Sequence, residues 1–243
     1  MFSANWPVPK QVKTLQTTRV NGVSTAPFDS LNLGAHVGDN LADVEINRAK
    51  LSVPQPICWL NQVHGNSVLE LPVTGMTLPP EADAVFSVTP NQVCAVMTAD
   101  CLPVLLTDRH AQFVAAVHCG WRGLANGILT ETLSKVGEKF QLDLAQVLVW
   151  LGPAIGPSQF EVGGEVRQTF VNKHPLYETC FTQKDNQKFL ADIYQLAKFE
   201  LELIGIQSIY SDYECTVSQK DKYFSYRRDG KTGRQASLIW LEG

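Results

Sequence analysis

Apolar residues in this chain gather into short runs punctuated by Gly, Pro, Asn and Asp. Runs of that kind, rich in β-branched residues and bounded by turn formers, predict strands. They fall at 11–19, 57–60, 67–71, 82–87, 93–98, 147–151, 208–210 and 236–241. Helical spacing appears in four places. Val44, Asn47, Arg48 and Leu51 lie on one face of 43–51, which Pro54 and Pro56 cannot continue. Leu124, Ile128, Leu129, Leu133 and Val136 form a stripe along 122–140, and 164–174 is a third helix. Ile193, Leu196, Ala197, Leu201 and Ile204 line 191–204, which stops at Gly205. Strands outnumber helices and cluster without strict alternation. The prediction is therefore α+β, with mixed β-sheets packed between helices in a single domain over residues 1–243.

The stretch 97–123 departs from this generic pattern. Its apolar runs at 104–107 and 113–117 flank a polar segment at 108–112, which predicts a β-hairpin. A turn centred between Arg109 and His110 would set Cys101 opposite His118, about 4.5–5.5 Å apart at Cβ. A one-residue slip would send them to opposite faces. A thiol and an imidazole held that close can share a metal, or act as nucleophile and base. His64 sits at the end of another predicted strand, beside a turn, and would complete a Cys-His-His set. Three protein ligands with an open fourth position is the pattern of catalytic zinc. The same residue types also serve a packed core, where a free Cys is inert and an imidazole needs a polar partner. Spacing alone leaves both readings open.

Asp100 adjoins Cys101 and could orient an imidazole or accept a proton. His110 falls in the hairpin turn and His174 precedes Pro175, both solvated positions. Arg19, Arg122, Arg227 and Arg228 lie in Gly- or aromatic-rich loops, where Arg forks suit phosphate and carboxylate. A surface salt bridge is the ordinary use of any one of them.

Composition narrows the partners. With 20 basic and 24 acidic residues the net charge is −4, which gives no electrostatic case for nucleic acid or an anionic membrane. No apolar run approaches the roughly 20 residues that span a bilayer, and the N-terminus lacks a basic segment followed by an apolar one. Six cysteines without a CxxC pair read as reduced thiols, and the expected location is cytoplasmic.

Seven ordered motifs then carry a resemblance along essentially the whole chain. They are Thr17-Thr18-Arg19 with Gly22-Val23-Ser24; Leu31-Asn32-Leu33-Gly34 with His36-Val37-Gly38-Asp39; Gln62-Val63-His64-Gly65; Thr98-Ala99-Asp100-Cys101-Leu102-Pro103; His118-Cys119-Gly120-Trp121-Arg122-Gly123; Gly152-Pro153-Ala154-Ile155-Gly156; and Phe224-Ser225-Tyr226-Arg227-Arg228-Asp229. The sequence resembles the YfiH family, also called laccase-domain, polyphenol oxidase or peptidoglycan-editing-factor proteins. The resemblance implies zinc held by His64, Cys101 and His118, with copper as an alternative occupant, and makes Cys119 incidental. It implies phosphorolysis of purine nucleosides (adenosine, inosine, guanosine and methylthioadenosine) together with adenosine deamination. A Cys/His hydrolase acting on peptidoglycan precursors and a copper-dependent polyphenol oxidase are the other activities it brings. On this reading Cys101, His118 and Asp100 are the candidate catalytic residues. Arg19, Asn32, Arg122 and Arg227 are the candidate substrate and phosphate contacts, and the ligands are small molecules, with neither nucleic acid nor membrane as partner. A multicopper site is excluded by arithmetic, since five histidines cannot supply a blue-copper site and a trinuclear cluster together.

Overall fold

A six-stranded mixed sheet forms the spine of the molecule, which is described by a computed structural model covering residues 1–73, 75, 78–185 and 187–243. Its strands lie in the order Ser208–Ser211, Val147–Leu151, Leu102–Asp108, Val114–Cys119, Ala84–Ser87 and Val68–Leu71. The pairs at the two edges are parallel and those between them antiparallel. The central strands read as unbroken apolar runs because both of their faces are covered. Leu102, Val104, Leu106, Ala115, Val117 and Val149 pack with Leu124, Ile128, Leu133, Leu196 and Leu201 on the helical side. Leu105, Val114, Ala116, Leu148 and Trp150 face the opposite way, onto Val12, Cys94, Val96, Ile239 and Leu241.

Those last residues belong to a second, antiparallel sheet of Val12–Gln16, Gln235–Leu241 and Cys94–Thr98. The class is α+β, as the sequence predicts. Helices cover one face of the main sheet and another sheet covers the other, a choice the apolar runs leave open. A third small sheet, of Glu161–Gly163, Lys188–Ala191 and Phe181–Gln183, was not predicted. Its strands are short, and Thr182, Gln183 and Lys188 are exposed, so they carry no apolar run.

Two predicted elements change. The helix over 122–140 is broken into Trp121–Ala125 and Ile128–Gly137, because Gly127 takes φ 75° between them. Glycine adopts that left-handed conformation without a steric penalty. The run at 57–60 forms no strand, and only Asn61 bridges to Glu81.

The hairpin forms, with a corrected register. Pro103, and not Cys101, lies opposite His118, and Leu102 opposite Cys119. The turn is displaced because Asp108 Oδ1 accepts from the Gln112 amide at 2.7 Å and Ala111 takes φ 53°. The displacement puts Cys101 two residues beyond Pro103, diagonal to His118. An even displacement preserves the face, so thiol and imidazole stay on one side of the sheet. No helix among the described residues is long and apolar enough to cross a membrane.

Candidate metal centre

His118 ends its strand on the face shared by Val114 and Ala116, and it is buried. Its Nδ1 lies 2.7 Å from Asp83 Oδ1, which fixes that nitrogen as the donor and leaves Nε2 for a ligand. Asp83 is fully buried and does more than hold this ring. Oδ1 also accepts from the His64 amide at 2.9 Å, and Oδ2 accepts from Val63 at 3.1 Å and Gly65 at 2.7 Å. These bonds hold His64 at φ 62°, a conformation uncommon for a residue with a large side chain. Burial works to raise the Asp83 carboxyl pKa. The hydrogen bond and charge of His118, with the Gly65 and His64 amides, outweigh it and keep the group ionised below the usual carboxylate range.

Cys101 is delivered by a second strained residue. Asp100 has φ 97°, and its carbonyl accepts from Ile155 at 2.9 Å. Its Oδ1 accepts from the Thr216 hydroxyl and Oδ2 from the Arg227 amide, both at 2.6 Å. The Asp100 carboxylate is thus committed to the loops beneath the site, and the carboxylate that orients an imidazole is Asp83. Sequence reading passed over Asp83, although one signal was there: a charged residue inside the apolar run at 82–87 must have buried partners.

The three side chains converge. One ligand atom from each of His64, Cys101 and His118 lies within 4.8 Å of the others, the one such set among the described residues. Cys101 Sγ is 3.8 Å from His64 Nε2, and the two imidazoles meet edge to face with centroids 4.8 Å apart. Gly120 makes room for them, since a Cβ there would come within 2.9 Å of His64 Cδ2 and 3.3 Å of the Cys101 sulfur. Two nitrogens and one sulfur, braced by a carboxylate behind one ring, can hold a metal ion, and the donor types fit zinc or copper. Cys119 alternates to the helical face, in the apolar core.

The electrostatics prepare the thiol as a ligand. Burial would raise the Cys101 pKa, but the charge and hydrogen bonds of His118 and His64 bring it down to about 6. Burial would likewise lower His118, while the Cys101 thiolate and Asp83 raise it to about 9. Without metal the two form a thiolate–imidazolium pair between those values. The pair is lost as pH falls through the thiol's value, or rises through the imidazole's. Metal binding at pH 7.5 must then displace the imidazolium proton, releasing about one proton per site, and must weaken below about pH 6 as the thiolate protonates. Calorimetric zinc titrations in buffers of different ionisation enthalpy measure this directly. Release of two protons would mean that the metal-free thiol is neutral.

Of the three donors, His64 and Cys101 line a pocket of about 460 Å³, with His118 buried behind them. Ile155, Phe160, Val162 and Val166 make an apolar wall, while Arg122, Arg227 and Lys188 supply cations and Glu161 and Glu165 carboxylates. Arg122 stacks 4.4 Å over Trp121, and Arg227 lies 5.8 Å from the Phe160 ring while donating Nη1 to the Gln159 carbonyl. Lys188 and Tyr226 also line this pocket and were missed from sequence, because the small sheet that brings Lys188 there was not predicted.

Two expected substrate contacts lie elsewhere. Arg19 lines a different cleft, with its guanidinium committed to Asp29 and the Lys220 carbonyl. Asn32 is fully buried, its amide bonded to Gly34, Asp39 and the Arg234 amide, so it organises its own loop. Arg228 spends its fork on the carbonyls of Thr216, Val217 and Tyr223 and on Asp229.

The family model described as multi-copper polyphenol oxidoreductase laccase matches residues 13–242. The chain belongs to the YfiH, or laccase-domain, family. It is 51% identical over 241 residues to a Shigella flexneri protein named purine nucleoside phosphorylase YfiH, covering 97% of this chain and 96% of that one. The protein of the same name from Escherichia coli strain K12 is 50% identical with the same coverage. The crystal structure of a Neisseria meningitidis protein superposes with a TM-score of 0.92 at 45% identity, covering 100% of this chain and 99% of that one. The multi-copper wording of the family description is not matched by the donors of this YfiH-family chain. His110 lies in the hairpin turn and His174 accepts from the Leu176 amide at the cap of a short helix, leaving one three-donor set among the described residues.

Proposed function

We propose that this chain is a zinc-dependent purine nucleoside phosphorylase, acting on adenosine, inosine, guanosine and methylthioadenosine, with adenosine deaminase activity at the same site, in the cytoplasm. The observation that carries the reading is the His64–Cys101–His118 set, two of whose members line a pocket with an apolar wall and the cations Arg122, Lys188 and Arg227. The name carried by full-length relatives supplies the substrate class. Six free thiols support a reducing compartment.

When bound, zinc supplies a Lewis acid that polarises a substrate atom or lowers the pKa of a coordinated water. The remaining work falls to the chain. The apolar wall takes the face of the purine and excludes water, which strengthens every charge interaction inside. Asp83 keeps His118 in the ligating tautomer. Arg122 and Arg227, exposed at the edge, contact the sugar hydroxyls and steer phosphate inward. The test is metal analysis of protein purified without added metal, followed by release of free base from a nucleoside panel with and without phosphate. Base release independent of phosphate would sink the phosphorylase reading.

The two arginines first expected to hold phosphate now separate. Arg227→Ala is expected to raise the KM for phosphate several-fold to about tenfold, as for loss of a cation that draws the anion in, with zinc content unchanged. Arg19→Ala is expected to leave that KM alone and to cost about 1–3 kcal/mol of stability, because its largely buried side chain holds Asp29 and the Lys220 carbonyl and packs over Phe224. Steady-state kinetics with phosphate as the varied substrate decide between them.

One observation favours a second reading. The metal-free Cys101–His118 pair is that of a cysteine nucleophile and its base, which suits a hydrolase acting on peptidoglycan precursors. Zinc and this chemistry compete for the same sulfur. Precursor hydrolysis that rises on chelation would put the hydrolase first.

A further inference from the structure

Beside the metal pocket lies a second pocket of about 460 Å³, lined by His36, Val37, Tyr226, Lys231, Thr232 and Arg234, with Tyr226 a wall of both. No carboxylate lines it. Arg234 is half-buried, and its Nη1 donates to the Thr232 and Gly233 carbonyls at 3.0 Å. Among the described residues neither Arg234 nor Lys231 forms a salt bridge. Burial works against the Arg234 charge, and the acidic groups it feels, Cys101 and Asp100, belong to the metal site. Although the His36 surface is largely exposed, partial desolvation of its ring and the charges of Arg234, Arg48 and His118 keep it below its usual range, so near neutral pH it donates as a neutral imidazole. Two cations and a neutral donor, with no carboxylate in the lining, suit a small dianion. The cleft around Arg19 offers no such match, because Asp29, Asp221 and Asp229 balance its cations.

We infer that the His36–Lys231–Arg234 pocket is the seat of the inorganic phosphate that acts as nucleophile on a nucleoside bound in the metal pocket. The inference rests on the phosphorolysis reading and adds where the second substrate sits. A phosphate oxygen forms a bond to C1′ of the ribose as the C1′–N9 bond breaks. The bonding pair leaves with N9, and the proton of the hydrogenphosphate passes to the departing purine, giving free base and ribose 1-phosphate. No oxidant or reductant enters. Arg122 and Arg227 attract phosphate at the mouth, while this pocket orders it.

The test uses the full-length, zinc-loaded protein. Lys231→Met and His36→Gln alter exposed side chains, and Arg234→Met alters the half-buried one. Each is expected to raise the KM for phosphate about tenfold or more, as for loss of a hydrogen bond to a charged group. The nucleoside KM and the zinc content should stay at wild-type values. Broadening of the phosphorus resonance of inorganic phosphate, titrated without nucleoside, should appear with wild type and vanish with Lys231→Met. If wild type shows no phosphorolysis, the functional reading fails, and the phosphorus titration still decides the subsite. A phosphate KM unchanged in both Lys231→Met and His36→Gln overturns the inference, as does broadening that is equal in wild type and variants or absent from both.

Discussion

Replacing Cys101 with alanine is expected to abolish metal binding and, with it, the phosphorolysis and deamination proposed above. The sulfur is the anionic member of the donor set, and its pKa near 6 makes it a ready ligand at neutral pH. Two imidazoles alone leave a site with neither enough donors nor enough charge for zinc. Changes behind a ligand already cost 10–100-fold in affinity or activity, so removal of a ligand should cost at least about 100-fold in kcat/KM. The fold should survive, because Cys101 is half-buried at a strand end and its removal leaves no void in the core. Metal content by mass spectrometry and circular dichroism on the same sample check the two halves of this expectation. Wild-type phosphorolysis without metal would move the chemistry to other residues.

Asp83→Asn is the second large effect, and it differs in kind. Four donors converge on this carboxylate: His118 Nδ1 and the amides of Val63, His64 and Gly65. Asparagine offers one oxygen and one donor where two acceptors are needed, so at least one buried N–H loses its partner. That costs about 1–3 kcal/mol for an ordinary donor and more where charge is involved. We expect a loss near 3 kcal/mol in denaturant unfolding. Zinc affinity should fall 10–100-fold, because His118 loses its tautomer control and the loop bearing His64 its anchor. The readout is a chelator competition titration alongside unfolding. Lower stability with unchanged zinc affinity would make Asp83 a structural residue only.

These two variants separate what the chain declares from what it conceals. His64, Cys101 and His118 were legible as a candidate metal set, with a packed-core reading left open beside it, and the structure brings the three together. The hairpin joining Cys101 and His118 was legible too, because alternate residues of 102–108 and 114–119 pack on opposite faces of one buried sheet. Its register was not. Turn geometry around Asp108 and Ala111 set it two residues away from the simplest pairing, and the site survived because a displacement of two keeps the face. Asp83 and Asp100 show the same limit from the other side. Both are buried aspartates beside a key motif, and sequence proximity favoured the one next to Cys101. Which carboxylate meets an imidazole depends on the neighbouring strand in the sheet, and His118 lies beside the strand that Asp83 leads into.

By itself, then, the sequence determined the α+β class and the strands of the main sheet, and it singled out His64, Cys101 and His118 as candidates, because those follow from local apolar periodicity and side-chain chemistry. The tertiary structure decided which carboxylate braces the site and that Arg19 and Asn32 serve their own loops. It also brought Lys188 and Tyr226 to the pocket that His64 and Cys101 line, and placed the His36–Lys231–Arg234 pocket on the other side of Tyr226. Those outcomes depend on contacts between segments far apart in the chain, and one chain's residue pattern carries no record of such contacts.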